Sequence, residues 1–343
     1  MLSMQYYRLI LEISRKLVYR KLRISHFIAF TRYNSAKKLW NLLKCNGERL
    51  AGKTSLSSRP YLINSEPTNA CILHCPFCPT GKSNSRKNGY ADPKIFENVI
   101  HELAPYTYLI TFHGWGEPLL HKDLPRLIDL AHRQRICTVV TTNGLLLNKG
   151  IIEKLICSKL DVLYISIDGA SEETYRMYRI GGSLKKLLSN IETLVALKKE
   201  RKSTIPFIEW QFIVFRHNEH EIKKAKELAR KLGVDSIVFL PAYTEDKAYE
   251  PSDPKFRLPL FSPLTKPSDC KHLWSTLSMH WDGIVVPCCN DYEGNTAYGN
   301  ARQFNIREIW NNTKYKASRS MVTSGIASER EQIPCTNCIN NIV

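Results

Sequence analysis

The chain has 343 residues and a mass of 39.5 kDa, with 43% hydrophobic and 10% aromatic side chains, so it can bury a sizeable core and wholesale disorder is excluded. No window reaches the roughly 18 apolar residues of a membrane span, and the N-terminus carries no apolar run like a signal-peptide core. Its eleven cysteines are therefore read for a reducing, cytoplasmic compartment, where clustered thiols serve metal binding or catalysis more often than disulfides.

The net charge of +17 is uneven: residues 1–59 hold thirteen Lys or Arg against Glu12 and Glu48, so +11 of it lies there. Leu2, Tyr6, Leu9, Ile10, Ile13 and Leu17 share one helical face, with Arg8, Arg15 and Lys16 on the other side. A basic amphipathic helix of this kind packs on the protein body with a solvated face, lies on an anionic membrane surface, or meets nucleic acid. Charge alone does not choose among the three.

From about residue 60 the pattern becomes strand, loop, helix, repeated. "YLINSEPTN" leads into a cysteine cluster, followed by a polar loop (81–91) and a helix around 93–104. "YLITFHGWG" reads as a buried strand with a helix near 123–134, and "CTVVTTNG" as another with a helix over 146–158. "DVLYISIDG" precedes helical 171–178 and 184–200; "PFIEWQFIVF" precedes a helix from Glu219 to Leu232 that stops at Gly233; "DSIVFLPAY" is a sixth strand. Short apolar strands alternating with longer helices predict βαβ units and a parallel sheet, here a partial (β/α)6 TIM-type barrel with function at the C-terminal strand ends. The cysteine loop, "HGWGEP", "TTNG" and "SIDG" all fall at those ends.

Residues 244–269, rich in Pro, Ser and charge, read as a linker. Beyond it "TLSMHWDGIVVPCC" predicts a β-hairpin turning at Asp282–Gly283, then a helix near 305–312, and the chain closes on "CTNC". The expected organisation is a basic helical extension (1–59), a barrel (60–243), the linker, and a small cluster-binding module (270–343).

"CILHCPFC" (71–78) places Cys71, Cys75 and Cys78 in eight residues. Three thiolates can hold three irons of a [4Fe–4S] cube and leave the fourth open to chelate an amine and carboxylate, as a methionine moiety offers. Zinc is the alternative, but a closed site would need His74, whose neighbour Cys75 has trouble converging on the same ion. Cys270, Cys288, Cys335 and Cys338 make a second, complete four-thiolate set, suited by spacing to zinc or to a closed cluster. Cys45, Cys137 and Cys157 read as ordinary.

The C-x3-C-x2-C loop with Phe77 before its last cysteine resembles that of the radical S-adenosylmethionine (SAM) superfamily, and "EPTNACILHCPFCPTG" resembles the branch with a C-terminal SPASM or shorter twitch auxiliary-cluster domain. The resemblance runs from about residue 60 to the end. It implies a SAM-binding [4Fe–4S] cluster on Cys71, Cys75 and Cys78, and an auxiliary [4Fe–4S] cluster on Cys270, Cys288, Cys335 and Cys338. It also implies SAM contacts from Gly114, Gly116 and Glu117 of "GWGEP", whose glycines permit close backbone approach and whose acid can accept from an ammonium. Ser166 and Asp168 would meet ribose hydroxyls, with Gln211 and Asn218 as further cofactor contacts. Tyr175, Arg176, Tyr178 and Arg179 either line the cavity or form a solvated helix face.

The implied reaction is reductive cleavage of SAM to a 5′-deoxyadenosyl radical, which abstracts a hydrogen atom from a small-molecule, carbohydrate-like substrate. The auxiliary cluster would accept or relay an electron, giving a two-electron oxidation of dehydrogenase type, and a flavodoxin or ferredoxin would supply reducing electrons. A peptide is the alternative substrate. Cys289 adjoins a ligand, so its side chain points elsewhere; facing the cavity it would donate a hydrogen atom and make the enzyme a redox-neutral epimerase, otherwise it is a small hairpin residue. A reading of another class is a metal-stabilised nucleic-acid-binding protein, which explains a pI near 9.4 but not the open three-cysteine loop.

Overall fold

The computed structural model describes residues 23–82, 85–242, 244, 246–257, 270–324 and 335. The amphipathic stretch over residues 2–17, Cys338 and most of the second half of the expected linker lie outside them. Two helices come first, α1 (Ile24–Arg32) and α2 (Ala36–Leu50). Six strands follow: β1 (Leu62–Ser65), β2 (Leu109–Phe112), β3 (Cys137–Thr142), β4 (Val162–Ser166), β5 (Phe207–Val214) and β6 (Ser236–Pro241). They pair in parallel, each beside its sequence neighbour. The expected partial barrel is present, with C-terminal antiparallel strands beyond it.

Between the strands run α3 (Pro93–Leu103), α4 (Leu124–Arg133), α5 (Lys149–Cys157), α6 (Glu172–Tyr178), α7 (Leu184–Glu200) and α8 (Ile222–Leu232). Their starts are encoded locally: the side chains of Asp92, Asn148, Ser171 and Ser183 each accept a backbone N–H of the first turn. Helix α8 ends at Gly233, whose φ of +77° suits a residue without Cβ. On α4, Leu124, Leu127, Ile128 and Ala131 form the buried stripe that packs on the sheet.

Alternation along the strands separates the helix side from the lumen. Phe112 stacks on Phe96 of α3, so Thr111 and His113 face inward; Thr111 Oγ1 donates to Asn64 Oδ1 of the neighbouring strand at 2.7 Å. The lower lumen is closed by α1. Its Ile28, Ala29 and the adjoining Tyr33 join Leu109, Val139, Val162 and Tyr164 in one buried cluster, and Tyr33 Oη donates to the buried Asp161 at 2.6 Å. This part of the basic extension thus packs on the body, and it does so inside the barrel.

The C-terminal region does not stand apart from the sheet. Strand β7 (Thr276–Met279) lies parallel to β1, with Asn64 opposite Ser278, and continues through β8 (Ile284–Val286) to β9 (Gly299–Asn300). The hairpin turns where expected, at Gly283 with φ +86°. Two short helices follow, α9 (Ile306–Trp310) and α10 (Thr313–Ser324), the second unforeseen. Residues 246–257, expected as linker, lie on the barrel: the Arg216 amide donates to Tyr249 O at 3.0 Å, and Ala242 bridges to Arg257. Among the described residues no helix is long and apolar enough to cross a membrane.

Candidate functional site

Beyond β1 the chain passes through Glu66–Ala70 into the cysteine loop. Cys78 N donates to Cys75 O at 3.1 Å, closing a turn, and the Leu73 amide points at Cys71 Sγ at 3.5 Å. The three thiols lie within electrostatic reach of one another. Burial pushes Cys71 up, and the neighbouring Cys78 adds to it; burial pushes Cys75 up to about 11 against the pull of Arg179. They are free thiols, and a metal that binds such a set displaces its protons. No three His, Cys, Asp or Glu among the described residues converge on a single ion; His74, the fourth ligand that zinc would need, is exposed. Three spaced thiolates with amide and guanidinium donors turned to their sulfurs suit a cube.

The "GWGEP" turn follows β2 and is pressed against the same loop. A Cβ at Gly116 would sit 2.2 Å from Thr68 O, so only glycine lets the two backbones approach. Glu117 N donates to Ala70 O at 2.8 Å. The Glu117 carboxylate, expected to meet a ligand ammonium, is 2% exposed and already accepts from Leu119 N, Thr142 Oγ1 and Asn143 N at 3.0, 2.6 and 2.8 Å. Burial raises its carboxyl even so. One lone-pair direction of four is left for a ligand.

Ser166 and Gln211 are register partners on β4 and β5, both turned to the lumen; Gln211 Nε2 donates to Glu209 at 3.2 Å. Asp168, expected at ribose hydroxyls, is instead bound to Arg179 at 2.6 Å and to the Ile213 amide at 2.7 Å. Asn218 is fully buried and spends its amide on the backbone, donating to Asp168 O and Ile213 O and accepting from Phe215 N. The structure thus makes Asn218 a brace for the Asp168 segment rather than a free ligand group. Of the α6 residues, Tyr175 and Tyr178 are buried and Arg176 is exposed. Phe77 packs edge-on to Tyr249 at 4.9 Å and beside Tyr178 and Phe215, an aromatic box partly built from the expected linker.

At the auxiliary set, Cys288 and the buried Cys335 both bear on Tyr315, and Cys270 is half-buried just before the short helix His272–Ser275. Cys289 lies beside this set. Cys289 is exposed, and the protein around it raises its thiol by desolvation. His113, half-buried, is held down at about 4 by burial and then by Arg23.

Two contacts unforeseen from sequence join the sites. Trp115 Nε1 donates to Cys289 O at 3.1 Å, its ring meets Tyr292 edge-on at 5.7 Å, and its own carbonyl lies 4.0 Å from Cys78 Sγ. Glu66 binds Arg86 through both oxygens at 3.2 and 2.8 Å and accepts from the Trp115 and Trp281 amides. Arg86 comes from the polar loop after the cysteines, where its charge looks like ordinary solvated surface.

The partial barrel thus carries three thiols just beyond β1, with Cys288 just after β8 and Cys270 and Cys335 elsewhere in the C-terminal region. A family model for the radical SAM superfamily matches residues 65–209, and one for the SPASM iron–sulfur cluster-binding domain matches 270–339. The AdoMet-dependent heme synthase of Methanosarcina barkeri is 31% identical over 237 residues, 67% of this chain and 66% of that protein, about two thirds of its length. The PqqA peptide cyclase of Gluconobacter oxydans is 25% identical over 287 residues, 75% of this chain and 78% of that one. Among solved structures, Streptococcus suis SuiB bound to S-adenosylmethionine has the same fold, with a TM-score of 0.65 at 14% identity over 96% of this chain and 86% of that one.

The chain belongs to the radical SAM superfamily and carries a C-terminal SPASM domain. Its cofactors are SAM, a SAM-binding [4Fe–4S] cluster and auxiliary iron–sulfur chemistry. It is a radical SAM enzyme.

Proposed function

We propose that the protein oxidises a small, hydroxylated, carbohydrate-like substrate by two electrons, with Cys71, Cys75 and Cys78 holding the SAM-binding cluster and Cys270, Cys288, Cys335 and Cys338 one auxiliary cluster. When bound, SAM and the clusters supply a 5′-deoxyadenosyl radical that takes one hydrogen atom, and an acceptor for the electron lost with the following proton. The observation that carries the oxidative reading is the Trp115–Cys289 hydrogen bond, because it ties the turn after β8, next to Cys288, to the GWGEP turn after β2. A polar lumen supports the substrate class. Ser166, Gln211, Thr111 and Asn64 face it, as does Ser278, whose buried Oγ has no hydrogen-bond partner, and buried polar groups favour a ligand that satisfies them. A flavodoxin- or ferredoxin-type protein supplies the reducing electron.

The exposed, free Cys289 supports a second reading, in which its thiol returns a hydrogen atom from the opposite face and the product is an epimer. A peptide substrate, as the name of the PqqA peptide cyclase implies for that relative, fits either chemistry. The test is anaerobic reconstitution with iron and sulfide, reduction, addition of SAM, and assay of a panel of sugar alcohols and short peptides. Wild type should form 5′-deoxyadenosine with about eight iron per chain, Cys75→Ala none, and the product should be lighter by two hydrogens. Unchanged mass with one solvent deuterium, lost in Cys289→Ala, gives the epimerase instead. Absence of deoxyadenosine rejects both.

A further inference from the structure

Arg179 occupies a buried niche at the rim of the barrel, its side chain 13% exposed and that of Asp168 fully buried. Nε and Nη2 both reach Asp168 Oδ2 at 2.6 Å, while Oδ1 is held by the Ile213 amide at 2.7 Å. The Tyr178 ring lies against the guanidinium at 5.3 Å. A guanidinium presents its donors in a rigid planar fork and keeps its proton throughout the working pH range. With two nitrogens committed to Asp168, the direction of the third is fixed. It is Nη1, and it lies 3.8 Å from Cys75 Sγ.

We propose that Arg179 sets the reduction potential of the cluster held at Cys75, and that Asp168 is the positioning residue that aims it. The inference rests on the reading of Cys75 as a cluster ligand. Cluster potentials follow net charge, hydrogen bonds to sulfur and solvent exposure. Reduction adds one negative charge, so a fixed cation donating to a ligand sulfur favours the reduced form and raises the potential. Asp168 opposes this, more weakly because it stands behind the guanidinium.

The test is a redox titration of the reconstituted full-length protein, without SAM, followed by electron paramagnetic resonance. Cys75→Ala identifies the SAM-binding cluster by the signal it loses. Arg179→Gln should shift that cluster's midpoint to more negative potential, and Asp168→Asn, which still accepts from the guanidinium, to more positive. Arg179→Lys, keeping the charge, should stay nearer wild type. The double variant Asp168→Asn/Arg179→Gln leaves no unpaired buried charge and should fall below wild type. A residue that only props the loop moves both single variants the same way or neither, and either result overturns the proposal. So does failure of single and double variants alike to assemble the cluster, since a tuning group is not needed for assembly. If wild type and Cys75→Ala take up iron identically, the ligand reading itself falls and the inference falls with it.

Discussion

Glu66 is 2% exposed, and its carboxylate meets Arg86, the Trp115 amide and the Trp281 amide. A buried ion pair is weak evidence of net stability, but breaking it from one side strands a charge. Arg86→Met should therefore cost about 3–5 kcal/mol, whereas Glu66→Gln/Arg86→Met should cost clearly less. Urea unfolding of the two variants checks this, and equal losses would remove Glu66 as the node. None of it was legible in the sequence, because the partner stands in a polar loop twenty residues on and nothing local separates Arg86 from its solvated neighbours. The cysteine loop was legible because thiol spacing is itself local. Asp168 and Asn218 show the limit between these cases: their place at the strand ends could be read, but not that Arg179 and the backbone would claim them.

At the scale of elements, short apolar strands alternating with helices announced the barrel, since each of its strands pairs with its sequence neighbour. The hairpin was equally plain, yet its attachment was not. Strand β7 pairs with β1, more than two hundred residues earlier, and such a partner leaves no local trace. Likewise α1 carries an apolar face that would suit the outside of the barrel as well as the lumen it fills. Trp115 is one of the side-chain ties across the hairpin junction. Trp115→Phe retains a ring against Tyr292 but removes the donor to Cys289 O, which should cost about 0.5–1.5 kcal/mol. Amide exchange should then quicken in residues 114–117 and 288–292 together. Quickening in one segment alone would mean that the two loops are not held by this bond.

Across the whole molecule, the same burial that builds the core sets its response to acid. His26, His113, His217, His272 and His280 are all held below the ordinary value of 6.5, in each case first by desolvation. Each therefore takes up a proton more readily in the unfolded chain, and where the unfolded state binds more protons stability rises with pH. Their contribution is complete above about 6.5 and is lost as the pH falls toward the folded value, about 4 for His113. Glu117 and Asp168, raised by burial, act in the opposite sense, whereas Glu48, Glu219, Glu221 and Asp253, whose values are lowered, act with the histidines at the acid end. His113 keeps part of its surface exposed, so its share is screened, whereas His280 is buried. The midpoint of thermal unfolding, followed by tryptophan fluorescence, should accordingly be lower at about pH 5 than at about pH 7.5. His280→Asn should narrow that difference, because it removes a group that resists protonation only when folded. A midpoint that holds steady over this interval would mean that these histidines stay accessible to protons in the native fold.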